Sequence, residues 1–140
     1  MHLGRPPLTC THEPGLDVRE FRRVLMDSGL GSIRPVDDLE RLQRMLDAAD
    51  VVLTARDASG QLVGVARCIT DFSWCAYLSD LAVSASAQGL GAGRALLDGL
   101  RDHLGPRVTL ALQSVPAAVG FYEHAGMARM ADTFCLRRSH

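Results

Sequence analysis

A strand-like run that leads into a glycine-rich helix start constrains the fold of this chain most strongly. The run Trp74–Val83 has few polar residues, and Gly89, Gly91 and Gly93 follow it before leucines recur at helical spacing. The pattern predicts a strand well inside a sheet, followed by a helix over Gln88–Leu104. Each glycine in a helix costs roughly 1 kcal/mol relative to alanine. Three of them at a helix start indicate that the backbone has another task there.

The remaining patterns predict an α/β fold with a mixed sheet, in the order β-α-α-β-β-β-α-β-α-β. Asp17 and Asp37 each precede a helical apolar stripe and have a glutamate three residues later, which is typical of a helix start. The predicted strands cover residues 8–12, Val51–Arg56, Gln61–Thr70, Trp74–Val83, Arg107–Gln113 and Met127–Arg138, and a short helix covers Ala117–Ala125.

Length and charge narrow the class of protein. The chain has 140 residues, of which 47% are hydrophobic, and its net charge is -1. We therefore expect one domain, residues 1–140, with a real core and no overall attraction to nucleic acid. No apolar run approaches the roughly 20 residues that span a bilayer, and the first seven residues lack the apolar part of a signal peptide. These features predict a cytoplasmic protein without a membrane partner.

The types of reactive side chain exclude several chemistries. All 15 basic residues are arginine, so there is no lysine for a Schiff base or a Walker phosphate loop. The five histidines lack a metal-binding spacing, and we expect no metal. The four cysteines form no C-x-x-C pair and lie in apolar runs, which predicts buried free thiols; they are Cys10, Cys68, Cys75 and Cys135.

The glycine segment itself predicts a seat for phosphate. Backbone N–H groups converge in such a loop, and a helix N-terminus adds partial positive charge. Arg94 could add a cation. The dinucleotide pattern G-x-G-x-x-G does not fit, because its third glycine would fall on Arg94 or Leu96. A glycine-rich corner that binds nothing is the alternative from these residues alone.

Two motifs extend this interpretation by resemblance to a family. Gln88, Gly91 and Gly93 form Q-x-x-G-x-G, which resembles the acetyl-CoA-binding motif R/Q-x-x-G-x-G/A of the GNAT acetyltransferases. Downstream, Phe121-Tyr122 lies in a segment similar to the A-x-x-F-Y-x-x-x-G-F signature of that family, here with Ala118, Gly126 and Met127. The resemblance covers roughly residues 50–130.

The resemblance implies the GNAT acyl-CoA N-acyltransferase fold. This is a mixed, mostly antiparallel sheet with splayed central parallel strands, flanked by about four helices. It also implies acetyl-CoA as co-substrate, held between Trp74–Val83 and Arg107–Gln113. The residues that it assigns to acetyl-CoA are Leu81, Ala82, Val83, Gln88, Gly89, Leu90, Gly91, Ala92, Gly93, Arg94, Phe121 and Tyr122. An asparagine often precedes the F-Y pair in the family, whereas this chain has Ser114-Val115-Pro116.

The resemblance further implies direct attack of an amine on the thioester. Tyr122 matches the position of the general acid, although a simple contact with acetyl-CoA is the alternative. Asp80 is the carboxylate nearest the expected gap, beside Ser79. A buried carboxylate there could act as general base or could be a hydrogen-bonded structural group.

The acceptor is expected between the loop Gly29–Pro35 and the turn Phe72–Cys75. The candidate lining residues are Ile33, Arg34, Phe72, Trp74 and Tyr77. Aromatic rings there suit a small, perhaps aryl-alkyl, amine, and Arg34 suggests an acidic group on it; core packing is the alternative.

Two other functions remain open from the sequence. The domain could bind acetyl-CoA or CoA as a non-catalytic sensor, or it could be a structural dimerisation module. The resemblance also leads us to expect a homodimer, often through the last strand.

Overall fold

The computed structural model describes residues 7–139, so most of the segment searched for a signal peptide lies outside it. Within this range, five strands form one sheet in sequence order, and four α-helices accompany it. The strands are β1 (Thr9–His12), β2 (Val51–Arg56), β3 (Leu62–Thr70), β4 (Cys75–Val83) and β5 (Thr109–Leu112). The helices are α1 (Val18–Asp27), α2 (Leu39–Ala48), α3 (Ala92–Leu104) and α4 (Val119–His124). Short 3-10 helices cover Leu30–Ile33, Ala85–Ala87 and Pro116–Ala118.

The sheet has a buried core on each face because successive side chains of a strand point to opposite sides. In β2, Val51 and Leu53 pack with the leucines of α3, whereas Val52 packs with α1 and α2. The predicted inward residues of α3 are all buried: Leu96, Leu97, Leu100 and Leu104. The architecture confirms the predicted mixed, mostly antiparallel sheet.

Both early helices begin at an aspartate that accepts a backbone hydrogen bond. Asp17 accepts from the N–H of Arg19 at 2.7 Å, and Asp38, one residue later than predicted, accepts from Arg41 at 3.0 Å. Glu20 does not complete a capping box, because its carboxylate binds the Arg56 guanidinium at 2.8 Å instead.

The two parallel strands separate partway along their length. Pairing of β4 with β5 runs from Cys75 opposite Thr109 to Leu78 opposite Leu112 and then stops, while β4 continues to Val83. On its other side, β4 pairs with β3, with a register shift that leaves Ser79 as an extra residue between Leu78 and Asp80. Such a bulge bends a strand locally. The predicted gap between these strands is therefore present beyond Leu78.

The prediction of a last strand over Met127–Arg138 is wrong for the described residues. No strand follows β5, and the outer edge of β5 has no described neighbour. Phe134 and Leu136 are 93% and 102% exposed. A strand forms only where another strand accepts its hydrogen bonds, and this segment does not lie against one.

The cysteines are free, but only one is buried. Cys68 is fully buried in β3, whereas Cys10, Cys75 and Cys135 are exposed. Burial, with a contribution from Asp50, raises the pKa of the Cys68 thiol to about 11. The prediction of four buried thiols is thus wrong for three of them. Cys10 lies in the edge strand β1, Cys75 lies at the β3–β4 hairpin, and Cys135 lies in the exposed terminal segment, so apolar neighbours in sequence do not bury them.

Candidate active site

A tight turn built on two glycines connects β4 to α3. Gly89 has φ +84° and Gly91 has φ +85°, a left-handed conformation that side chains other than glycine rarely adopt. Gly91 caps α3, so the helix begins at Ala92 rather than at Gln88 as predicted. Among the described residues, the N–H groups of Ala92, Gly93 and Arg94 have no hydrogen-bond acceptor. They form a set of free donors at the positive end of α3.

Gly93 has a different reason to be glycine. A Cβ atom there would lie 3.3 Å from Cζ of Phe121 and 3.7 Å from a methyl group of Val83. The missing side chain lets α3, α4 and the end of β4 approach one another. The two sequence motifs therefore meet in space at Gly93 and Phe121.

Two of the polar side chains predicted to hold acetyl-CoA have partners within the chain. The Gln88 amide donates to the Val83 carbonyl at 3.1 Å, which ties the turn to the end of β4. Arg94 pairs with Asp98 at 3.0 Å, one helical turn along α3, with both side chains about half exposed. The free backbone donors, rather than these side chains, are the groups available to an anion.

The gap beside β4 is bordered by an unpaired strand edge, and the buried hydroxyl of Ser84 lies at its end without a hydrogen-bond partner among residues 7–139. Leu81, Ala82 and Val83 pair with β3, and no described strand pairs with their other side. Just after them, the hydroxyl of Ser84 is the one buried side-chain polar atom of residues 7–139 without a hydrogen-bond partner. An extended ligand with polar groups fits this edge in the way that an added strand would.

A cleft of about 720 Å³ opens where β4 and β5 separate. It is lined by β4 and the residues after β5, by the 3-10 helix before α2, by α2 itself, by Tyr122 of α4 and by the end of the chain. Of the predicted acceptor residues, it contains Ile33, Arg34 and Tyr77.

Phe72 and Trp74 do not line this cleft. They lie in the β3–β4 hairpin at the other end of β4, where Phe72 is 6.2 Å from the ring of His103, and Trp74 is 77% exposed. The predicted acceptor set is therefore divided between two places, because the hairpin precedes the parallel pairing and the cleft follows it.

Tyr122 is half-buried in the cleft, and its ring meets Phe121 edge to face at 5.1 Å between centroids. Burial raises the pKa of its hydroxyl above the ordinary value of 10. The group therefore keeps its proton at neutral pH and can donate it.

Asp80 is fully buried between two arginines. One carboxylate oxygen accepts from Nε of Arg34 at 2.6 Å, and the other accepts from Nε of Arg67. The same guanidinium groups also bind Ser79, Arg34 at its carbonyl and Arg67 at its hydroxyl, each at 2.7 Å. The network joins the acceptor-side loop to the bulge in β4. Because both oxygens are engaged by cations, this geometry favours a structural role for Asp80 over proton abstraction.

The sequence reasoning missed most of the charge in the cleft. Arg41, Arg67, Arg137 and Arg138 line it together with Arg34, and no carboxylate is among the lining residues that the structure describes. Arg67 could have been recognised from the sequence, because it is the one charged residue in strand β3. The other three lie on an amphipathic helix and near the end of the chain, where arginine is ordinary.

Three features together are typical of an acyl-CoA-dependent acetyltransferase: the separated parallel strands, the glycine turn and the tyrosine in the cleft. A family model described as "Acetyltransferase (GNAT) domain" matches residues 33–137, and the chain belongs to this family. The fold of the family implies acetyl-CoA as co-substrate.

Individual relatives agree with this assignment. Serotonin N-acetyltransferase 2, chloroplastic, of Oryza sativa subsp. japonica is 37% identical over 123 residues, which cover 84% of this chain. The chain spans 60% of the length of that relative.

Solved structures show the same fold. A GNAT family acetyltransferase from Streptococcus pneumoniae has a TM-score of 0.74 at 21% identity, covering 96% of this chain and 98% of that one. An aminoglycoside acetyltransferase from an uncultured soil metagenomic sample has a TM-score of 0.71 at 19% identity, covering 95% and 96%.

Within residues 7–139, no helix is long and apolar enough to cross a membrane. The same residues contain no group of three or more histidine, cysteine or acidic side chains placed to hold a metal ion.

Proposed function

We propose that this chain is an N-acetyltransferase that moves an acetyl group from acetyl-CoA to a primary amine of a small molecule. One observation carries the proposal: the gap beyond Leu78 opens into the cleft that holds Tyr122, and β4 leads from there to the glycine turn. A single extended ligand can therefore contact the free N–H groups of α3, the unpaired edge of β4 and the Tyr122 hydroxyl at the same time.

The residues present fit acetyl-CoA. The N–H groups of Ala92, Gly93 and Arg94 would receive the pyrophosphate, with Gly89 and Gly91 shaping the approach. The free side of Leu81, Ala82 and Val83 would pair with the pantetheine arm, and Phe121 would pack against it. Gln88 would act by holding the turn, and Leu90 by supporting it through the hydrogen bond from its N–H to Ala87. Arg94 would reach a phosphate only by leaving Asp98.

Tyr122 serves as the general acid in this proposal. When bound, acetyl-CoA supplies a thioester carbon; the amine nitrogen forms a bond to it, and the carbon–sulfur bond breaks. The leaving thiolate takes the Tyr122 proton, and the nitrogen loses one proton to a base. Asp80 was the candidate base; its engagement by Arg34 and Arg67 supports a positioning role instead, with a water in the cleft as the proton acceptor.

Titration of acetyl-CoA into the purified protein, followed by assay of thiol release with a panel of amines, tests the proposal. Binding together with amine-dependent thiol release is the expected result. Binding with no release for any amine would favour a non-catalytic sensor. Absence of binding would overturn the assignment of the glycine turn, and a structural dimerisation module would then be the remaining function.

The acceptor is proposed to be a small amine, as in the name of the rice relative. Tyr77, 44% exposed in the cleft, supports an aromatic or apolar portion near the amine. Ile33 adds a second exposed apolar surface on the facing loop.

A homodimer and a cytoplasmic location are also part of the proposal. Phe134 and Leu136 expose apolar surface close to the end of the chain, and a second copy that covers them would remove that surface from water. The exposed thiols of Cys10, Cys75 and Cys135 suit a reducing compartment.

A further inference from the structure

We propose that the acceptor amine also carries an anionic group, a carboxylate or a phosphate, and that Arg41 binds it. The inference rests on the proposed acetyltransferase function and concerns the acceptor end of the same cleft. Its basis is the unequal distribution of charge: the whole chain has a net charge of -1, yet within residues 7–139 five arginines and no carboxylate line this one cleft.

Two of these arginines are already occupied. Arg34 and Arg67 share Asp80, and their remaining described hydrogen bonds go to Ser79, to the Ile33 carbonyl and to the Met45 carbonyl. One carboxylate between two guanidinium groups leaves this cluster with an excess positive charge. It contributes to the field in the cleft but has few donors left for a ligand.

The other three are free to bind. Within residues 7–139, the guanidinium groups of Arg41, Arg137 and Arg138 have no hydrogen-bond acceptor or ion-pair partner. Arg41 is half-buried on α2, one helical turn before Met45, whose carbonyl accepts from Arg67 at 3.3 Å. Its backbone therefore lies about 6 Å along α2 from that of Met45, which the buried ion-pair cluster contacts through Arg67. A planar guanidinium in this position matches the paired oxygens of a carboxylate or phosphate.

We expect the phosphates of acetyl-CoA to bind outside this cleft, away from its arginines. The cleft touches β4 between Tyr77 and Leu81, and no residue of the glycine turn lines it. Three residues of strand, roughly 10 Å, separate Leu81, the last cleft residue on β4, from Ser84, where the connection to the glycine turn begins. The proposed phosphate site at the start of α3 and the arginine-lined cleft therefore lie at different positions relative to β4. Tyr122 belongs to the cleft.

Charge also argues against a purely cationic acceptor. A polyamine or a simple arylalkylamine would enter a positively charged cleft against repulsion, whereas an anionic group on the same amine reverses the sign of that interaction. The rice relative is named for serotonin, which lacks such a group. This chain would therefore differ from it in acceptor choice.

Matched pairs of amines that differ by one anionic group provide the test. The pairs are 5-hydroxytryptophan and serotonin, 4-aminobutyrate and butylamine, and phosphoethanolamine and ethanolamine. Calorimetry with saturating CoA measures binding of each amine without turnover, and thiol release gives kcat/KM. The proteins are wild type, Arg41→Gln, the double variant Arg137→Gln and Arg138→Gln, and the control Arg44→Gln, which changes an exposed α2 arginine outside the cleft.

For at least one pair, the anionic member is expected to bind about tenfold tighter than its partner, and Arg41→Gln is expected to remove that preference. Arg44→Gln should leave it unchanged, and all variants should bind acetyl-CoA as wild type does. Equal or weaker binding of the anionic member in all three pairs would overturn the inference, as would a preference that Arg41→Gln does not alter. Failure to bind acetyl-CoA would instead count against the proposed function.

Discussion

The Cβ position of Gly93 lies 3.3 Å from Cζ of Phe121, so that the first turn of α3 packs directly on α4. This contact joins the glycine motif after β4 to the Phe121-Tyr122 pair, 28 residues later in the chain. It places Tyr122 relative to the free N–H groups of α3. The position of Tyr122, the proposed proton donor, therefore depends on the lack of a side chain at Gly93.

Gly93→Ala should displace Phe121 and weaken acetyl-CoA binding severalfold. Alanine raises helix propensity by roughly 1 kcal/mol, but here that gain is offset by the displaced ring. The matched control is Gly99→Ala on the same helix, where a Cβ would make an ordinary 3.6 Å contact with Leu53. Thermal unfolding should show that only Gly99→Ala is more stable than wild type. Equal stabilisation by both substitutions would show that the Phe121 contact imposes no constraint.

Gly91→Ala should lower both stability and affinity for acetyl-CoA. An L-residue at φ +85° costs about 1–2 kcal/mol, and relaxation would turn the free N–H groups away. Gly105→Ala is the control, because Gly105 caps the other end of α3 at φ +84°. Both variants should unfold at lower denaturant, yet only Gly91→Ala should change the dissociation constant for acetyl-CoA. Unchanged affinity in Gly91→Ala would argue against the phosphate seat.

Tyr122→Phe should lower kcat by about a hundredfold or more, with little change in the KM for acetyl-CoA. Because burial raises the pKa of the Tyr122 hydroxyl above its ordinary value, the acid form is complete between pH 7 and 8. The defect should therefore be the same factor across that pH range. Tyr77→Phe makes the same change elsewhere in the cleft and should retain most of kcat. A Tyr122→Phe variant with normal kcat would reduce Tyr122 to a binding contact.

Asp80→Asn tests whether the carboxylate is structural or a base. Loss of the charge leaves Arg34 and the buried Arg67 without their shared partner, which should cost about 3 kcal/mol of unfolding free energy. Asp98→Asn breaks the exposed pair with Arg94 and should change stability little. Urea titration measures both. An Asp80→Asn protein of normal stability that has lost only the acid side of its pH–rate profile would restore the base assignment.

Replacement of both Phe134 and Leu136 by aspartate should convert the proposed dimer to a monomer. Sedimentation of wild type and variant at equal concentration measures this directly. Trp74→Ser is the control, because it removes a 77% exposed ring from the β3–β4 hairpin instead. A wild-type protein that sediments as a monomer at micromolar concentration would contradict the dimer.

Local patterns determined most elements of this protein. The strand-like run of β2, the leucines of α3 and the capping Asp17 depend on neighbours a few residues away, and each could be predicted in order along the chain, whereas the second cap is Asp38 and not Asp37. The glycine turn could also be predicted, because glycine adopts the left-handed conformation of Gly91 far more readily than other residues do. Residues such as Ile33, Arg34 and Tyr77 were placed on the acceptor side by resemblance, and the cleft contains them.

Only the tertiary structure decided which distant groups meet. It paired Asp80 with Arg34 and Arg67, set Phe72 and Trp74 apart from the cleft, and collected Arg41, Arg137 and Arg138 within it. It also left Met127–Arg138 without a strand, since a strand requires a partner that local sequence does not supply. Electrostatic and sheet contacts act through space between segments far apart in the chain, so periodicity and spacing carry no record of them.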